Sequence, residues 1–163
     1  MAVTLHTSLG DMKLEIFCDR CPEAAFNFMA LAASGYYNGV KFHRNMAGFM
    51  IQTGDRTNTG KGGECIHGGF MDDEFVTDLK HDKRGVVSFA GNGPNTIGSQ
   101  FFITYAAAAH LDNQFTVFGQ LLDDGTSFKV LAALEASPVG KKSRPIDEII
   151  LQGITIHANP LAR

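Results

Sequence analysis

Two segments of this 163-residue chain concentrate side chains able to act on a substrate. In the first, Phe42-His43-Arg44-Asn45-Met46-Ala47-Gly48-Phe49-Met50-Ile51-Gln52, a guanidinium precedes a glycine turn and Phe49, Met50 and Gln52 follow it. In the second, Ala90 to Phe102, Gln100 and Phe102 sit two residues apart. Successive strand side chains point to opposite faces, so alternation sends Arg44, Phe49 or Met50, and Gln100 with Phe102 toward shared faces. An always-charged donor beside apolar walls can hydrogen-bond a developing lone pair more strongly than water does. The competing reading of the same residues is a core holding one salt-bridged arginine.

Other chemistries find less support. Gly54 to Gly62 resembles a phosphate-binding loop, but its spacing is one residue too long. No hydroxyl residue follows Lys61, and no amphipathic helix comes next. Cys18 and Cys21 form a C-x-x-C with neither a second such pair nor a clustered histidine, so a zinc site is not expected. A redox pair remains the weaker alternative to silent, reduced thiols. Asp72-Asp73-Glu74 lacks the alternating spacing of a calcium loop and reads as a solvated acidic turn. His43, between Phe42 and Arg44, reads as a hydrogen-bonded core residue rather than a base. No Ser/His/Asp set stands out, and neither metal nor cofactor is called for.

The elements that must position these residues are mostly strands. Ala2–Thr7 and Asp11–Cys18 alternate in period two about a tight Ser8-Leu9-Gly10-Asp11 turn. Val40–Arg44, Gly48–Thr53, Val86–Ala90, Gln100–Thr104, Thr116–Leu122 and Ile149–His157 bring the strands to eight. Pro22 suits the first turn of a helix to about Ala33, with Ala25, Phe28, Met29 and Ala32 as its buried stripe and Gly35 as its stop. Ser127–Glu135 has helical spacing through Phe128, Leu131 and Leu134. Gly54 to Gly69 is a long Gly-rich loop. Many strands with a helix near each end predict a mainly β fold: an eight-stranded antiparallel closed barrel capped by two helices, in one domain.

Composition narrows the partners. A net charge of −3 offers no basic field for nucleic acid or anionic lipid, and Lys141-Lys142-Ser143-Arg144 reads as a solvated loop more readily than a contact patch. No apolar run approaches the roughly 18 residues of a membrane span, and the N-terminus alternates like a strand rather than a signal peptide. Three cysteines argue against a disulfide framework and for a reducing compartment, cytoplasmic or nuclear.

The two segments resemble the signatures of the cyclophilin family of peptidyl-prolyl isomerases. The pattern F-H-R-x-x-x-G-F-M-x-Q is met at Phe42, His43, Arg44, Gly48, Phe49, Met50 and Gln52. Gly93 to Thr96 with Gly98 to Ile103 matches a second signature, and Leu111-Asp112 with Val117-Phe118-Gly119 a third. The resemblance implies that proline-containing peptides or proteins bind at Arg44, Phe49, Met50, Gln52, Gly60, Ala90, Asn92, Gln100, Phe102 and Leu111. Arg44, Phe49 and Gln52 would be the catalytic set, Gln52 orienting Arg44, with Phe115 at the slot's edge and the Asn92 backbone pairing with the peptide. The ending Ile154 to Pro160, the short Gly54–Gly63 loop and His110 resemble a small single-domain subgroup associated with the spliceosome, which implies spliceosomal partners. A monomer is expected. The alternative to catalysis is a proline-binding scaffold with little turnover.

Five positions depart from the family pattern. His110 replaces a tryptophan that hydrogen-bonds cyclosporin, implying weakened drug binding. Phe115 replaces a histidine and keeps an aromatic wall. Gly91 replaces an asparagine, which is expected to loosen the backbone that meets the substrate. Phe70-Met71 replaces Lys-Phe and is expected to make the side pocket more apolar.

Overall fold

A computed structural model describes residues 1–157, so Ala158 to Pro160 of the chain's ending lie outside the described residues. Strands β1 (Ala2–Thr7) and β2 (Gly10–Ile16) form a hairpin across the two-residue turn Ser8-Leu9, where Gly10 holds φ at 130°. Their alternating apolar side chains Val3, Leu5, Met12, Leu14 and Ile16 are buried. Helix α1 (Pro22–Ala33) follows, with Pro22 in its first turn and Gly35 in a left-handed conformation just past its end. Its buried face is Ala24, Ala25, Asn27, Phe28, Leu31 and Ala32. Met29, expected in that stripe, is half-buried, because the face is centred on Phe28 and Leu31.

The remaining strands are β3 (Val40–Lys41), β4 (Arg44–Met46), β5 (Met50–Thr53), β6 (Val86–Phe89), β7 (Phe101–Thr104), β8 (Val117–Leu121) and β9 (Ile150–His157), with α2 (Ser127–Glu135) before β9. All pair antiparallel in one curled sheet, ordered β3-β9-β1-β2-β8-β6-β7-β5-β4. The outermost strands, β3 and β4, are separated only by Phe42 and His43. One stretch of chain therefore pairs with β9 through its first half and with β5 through its second, so the sheet's two edges adjoin. Among the described residues nine strands replace the expected eight, because Val40–Arg44 breaks at this change of partner. Phe42 still extends the β9 ladder, donating to Ile149 O at 2.9 Å.

The core fills the space the sheet wraps. Phe28 of α1 meets Phe118 at 5.0 Å, Phe101 edge-on at 5.3 Å and Tyr37 at 5.6 Å, closing one side with a cluster of aromatic rings. At α2, Leu131 and Leu134 are fully buried, and the Asp124 carboxylate accepts from the N–H groups of Thr126 and Ser127 at its start. Asn45 Nδ2 donates to Leu134 O at 2.7 Å, fastening α2 to the strand that carries Arg44. Among the described residues, no helix is long and apolar enough to cross a membrane.

Candidate active site

Strand register decides which side chains share a face. Arg44 lies opposite Gln52, Gln52 opposite Phe102, and Phe102 opposite Ser88, so these four form one row across β4, β5, β7 and β6. The adjacent row, Asn45, Ile51, Ile103 and Val87, faces the interior, where Ile51, Ile103 and Val87 belong to the main core. The Arg44 row therefore faces outward. On that outer face lies a second apolar cluster: Met50, Phe102, Ala108 and Leu111, edged by Met46, Phe49, Ala90 and Phe115. The segment carrying Ala108 and Leu111 is held there by Ala108 N–H donating to His81 O at 2.8 Å and Tyr105 N–H donating to Phe49 O at 2.9 Å. Phe115 meets Phe102 edge-on at 5.8 Å, and the exposed His110 ring stacks on Phe49 at 5.7 Å.

Arg44 is exposed at the edge of this slot, and among the described residues it has no ion-pair or hydrogen-bond partner. The salt-bridged core arginine is therefore excluded. Gln52 does not orient Arg44 by a hydrogen bond. Its Nε2 donates to Gln100 Oε1 at 2.8 Å, and Gln100 Nε2 donates to the carbonyls of Gly60 at 3.1 Å and Gly62 at 2.8 Å. The two glutamines thus form a polar wall tied to the Gly-rich loop.

Asp55, which the sequence reading passed over, organises that loop. Fully buried, its carboxylate accepts from Thr57 N–H and Oγ1, from Thr59 N–H and Oγ1, and from the N–H groups of Gly60 at 2.6 Å and Gly62 at 3.0 Å. Burial alone would raise its pKa; the donors from Thr57, Gly62 and Gly60 outweigh that and hold it at about 2. Gly62 has no alternative here, since a Cβ would come within 2.4 Å of Asp55 Oδ1. The signal was present in Asp55-x-Thr57-x-Thr59-Gly60, an acid followed by hydroxyl residues at turn spacing.

His81 was also missed. Its ring stacks beneath Phe102 at 5.8 Å, with Nδ1 2.9 Å from Asp112 Oδ1 and Nε2 3.0 Å from Ser88 Oγ. A Ser/His/Asp arrangement therefore exists, contrary to the sequence reading, but Ser88 is fully buried under the slot and can meet no substrate. Burial lowers the pKa of His81, and the contacts of its two ring nitrogens with Asp112 and Ser88 fix the slot's floor. His43 is buried as expected, yet its Nδ1 has no hydrogen-bond partner among the described residues, and burial lowers its pKa too.

Beside the slot opens a cleft of about 530 Å³ bordered by Gln52, Gly60, Phe70, Ala90, Gly91 and Gln100. Phe70, 64% exposed, stands at its rim, but Met71 does not line it. Met71 pairs through its backbone with Ile97 and turns into the main core. Backbone groups border the cleft as well. Asn92 N–H donates to Thr96 Oγ1 at 2.8 Å, which leaves its C=O, and Gly91 N–H and C=O have no partner among the described residues. Thr96 Oγ1, which donates to Gly93 O at 2.8 Å, lies 2.8 Å from where a Cβ on Gly91 would stand, so a side chain at 91 would meet that hydroxyl.

Cys21 is buried and donates to Phe17 O, and burial pushes its pKa up to about 12, away from the reactive thiolate a redox pair would need there. The acidic turn is pinned rather than solvated: Glu74 accepts from Ala24 N–H at the start of α1, and Asp73 accepts from Asn95 N–H. Among the described residues, no three His, Cys, Asp or Glu side chains gather as metal ligands.

A curled antiparallel sheet thus carries an outward-facing groove with a free guanidinium beside an apolar slot. The chain belongs to the cyclophilin family of isomerases, the family described as Cyclophilin type peptidyl-prolyl cis-trans isomerase/CLD matching residues 2–156. It is 55% identical over 164 residues to peptidyl-prolyl cis-trans isomerase-like 3 of Homo sapiens, covering 100% of both chains. It is 56% identical to the Dictyostelium discoideum protein of that name, covering 99% of each. A crystal structure of a Cryptosporidium parvum cyclophilin type peptidyl-prolyl cis-trans isomerase is 51% identical and matches with a TM-score of 0.92 over 98% of each chain. A crystal structure of the same protein in the presence of the dipeptide Ala-Pro matches at 0.93, with 50% identity over 98% of this chain and 100% of that one.

Proposed function

We propose that the slot of Phe49, Met50, Phe102 and Leu111, edged by Ala90 and Phe115, receives the prolyl ring of a substrate protein. Arg44 then donates to the prolyl nitrogen while the amide is twisted. Amide rotation faces a barrier of about 18–20 kcal/mol because the nitrogen lone pair is delocalised into the carbonyl. For X–Pro both isomers are populated and exchange takes tens to hundreds of seconds. At the twisted geometry the lone pair is localised and can accept a hydrogen bond. The planar states offer no such acceptor, so the bond with Arg44 stabilises the transition state selectively. A gain of about five decades needs about 7 kcal/mol, supplied by that bond, by desolvation of the slot and by restriction of the chain. The observation that carries the reading is the unpaired guanidinium of Arg44, solvent-open in the same row as Gln52 and Phe102.

The free backbone of Gly91 is the edge on which the substrate chain pairs in strand fashion, and Gln52, braced by Gln100, faces the carbonyl side. The test is a coupled assay on a short proline peptide. Turnover supports an isomerase, while binding without turnover supports a scaffold.

Two consequences concern the rim. With Phe70 at the side cleft, substrates with an apolar residue two places before proline should be preferred. A peptide panel read as kcat/KM checks this, and Phe70→Lys should reduce the preference about threefold. With His110 stacked on Phe49, the indole donor that would hydrogen-bond cyclosporin is missing. The variant His110→Trp should bind the drug about tenfold tighter by calorimetric titration. The cellular partners we propose are proline-bearing proteins of the spliceosome, a reading that rests on the resemblance of Ile154 to Pro160, the short Gly54–Gly63 loop and His110 to the single-domain subgroup. Capture from nuclear extract by wild type, lost with a slot-blocking Ala90→Trp variant, checks it.

A further inference from the structure

The hairpin of residues 138–146 lies beside the groove and serves none of the roles above. It is closed by Gly140 N–H donating to Arg144 O at 2.8 Å and Ile146 N–H donating to Pro138 O at 3.0 Å. The turn at its tip, Lys141–Ser143, packs against β4, the strand that carries Arg44. Arg144 Nη1 donates to Asn58 O at 2.9 Å, tying the hairpin to the loop that Asp55 organises. Lys142 and Ser143 both hold φ at 58°, a left-handed backbone that neither residue favours. A merely solvated loop needs neither that tie nor that strain.

The charges on this hairpin are unspent. Lys141, Lys142 and Arg144 are exposed, and among the described residues none has a carboxylate partner. Of the two acidic residues that follow, Glu148 is taken by Lys41 at 2.6 Å, leaving Asp147 alone. His43 reports the proximity, because both Arg144 and Arg44 disfavour its protonation. A chain of net charge −3 thus gathers three unpaired cations on a hairpin packed against the strand that carries a fourth, Arg44.

We infer that this hairpin recognises an anionic stretch of the substrate, side-chain carboxylates or phosphates close in sequence to the proline in the slot. The inference rests on the isomerase reading of the groove and adds a substrate class to it. Attraction between such a hairpin and an acidic chain favours encounter and binding rather than the rotation step, and salt screens it.

The experiment uses peptides sharing one proline core and carrying three Glu, three Gln or three phosphoserine residues on either side of it. For wild type at low salt, the Glu peptide on one side should show a KM about five- to tenfold below its Gln counterpart, with kcat unchanged and the advantage shrinking as salt is added. The double variant Lys141→Ala/Lys142→Ala, whose side chains hold nothing else in place, should lose most of that advantage while turning over the Gln peptide normally. An advantage confined to phosphoserine identifies phosphate as the recognised anion. Equal KM for all three series on both sides, or an advantage fully retained in the double variant and in Arg144→Ala, overturns the inference. Failure of the isomerase reading would instead appear as no wild-type turnover of the Gln peptide.

Discussion

Replacing Arg44 by alanine is expected to lower kcat/KM on a proline peptide by about two to three orders of magnitude, the loss typical of a preorganised transition-state donor. The melting temperature should stay within about two degrees of wild type, as for surface changes away from buried contacts. Both halves follow from the same geometry. The side chain is exposed and makes no ion pair among the described residues, while β4 is held by its backbone pairing to β5 and by Asn45 bonding to α2. Removing the guanidinium therefore costs the fold little. Each decade of rate is about 1.4 kcal/mol, so the expected loss is about 3–4 kcal/mol, in the range of one charge-assisted hydrogen bond in a water-poor site. Arg44→Lys should recover only part of it, because a point-charge ammonium on a flexible stem cannot hold the guanidinium's fixed fork.

The second large effect is expected at Asp55, which touches no substrate. In Asp55→Asn, an amide NH2 must replace either the oxygen that accepts from Thr57 or the one that accepts from Thr59, Gly60 and Gly62. Unpaired buried donors cost about 1–3 kcal/mol each before relaxation, so the loop should rearrange rather than persist. Because the carbonyls of Gly60 and Gly62 hold Gln100, and Gln100 holds Gln52, kcat/KM should fall about tenfold or more although the slot is intact. The pH dependence carries a sign. The folded pKa of about 2 lies below the ordinary 3.8, so this carboxylate's stabilisation is fully present above about pH 4 and is lost as pH falls through 2. The gap in melting temperature between wild type and Asp55→Asn should therefore be constant near neutrality and narrow below about pH 4. A gap that stays constant down to pH 2 would contradict the assigned ionisation.

What could be read beforehand, and what could not, divides along sequence distance. The first hairpin, α1 from Pro22 and α2 from Ser127 were legible because their signals are local: alternation, a proline at a helix start, a 3–4 spacing. The shared faces of Arg44, Phe49 or Met50, and Gln100 with Phe102 were legible from period-two alternation, whereas the place of Gln52 came only from the family resemblance. The partner of Gln52 was not legible, since Gln100 lies 48 residues away and competes with the cross-strand Arg44. His81 was silent for the same reason, its partners Ser88 and Asp112 standing 7 and 31 residues off. Phe70 and Met71 were read as a pair, but adjacent residues in extended chain point apart, so only Phe70 reaches the cleft. Which backbone groups stay free at Gly91 and Asn92 turned on one hydroxyl, that of Thr96, which takes the Asn92 N–H into its own turn.

Differential binding by Arg44 is tested most directly by magnetisation exchange on a proline peptide held in wild type and in Arg44→Ala. Titration of chemical shifts gives the dissociation constant, and exchange between cis and trans signals gives the interconversion rate on the protein. The account predicts a dissociation constant changed by about threefold at most, with an on-enzyme rate lowered about a hundredfold or more. Affinity and rate falling together by the same factor, or a rate that survives the substitution, would contradict it.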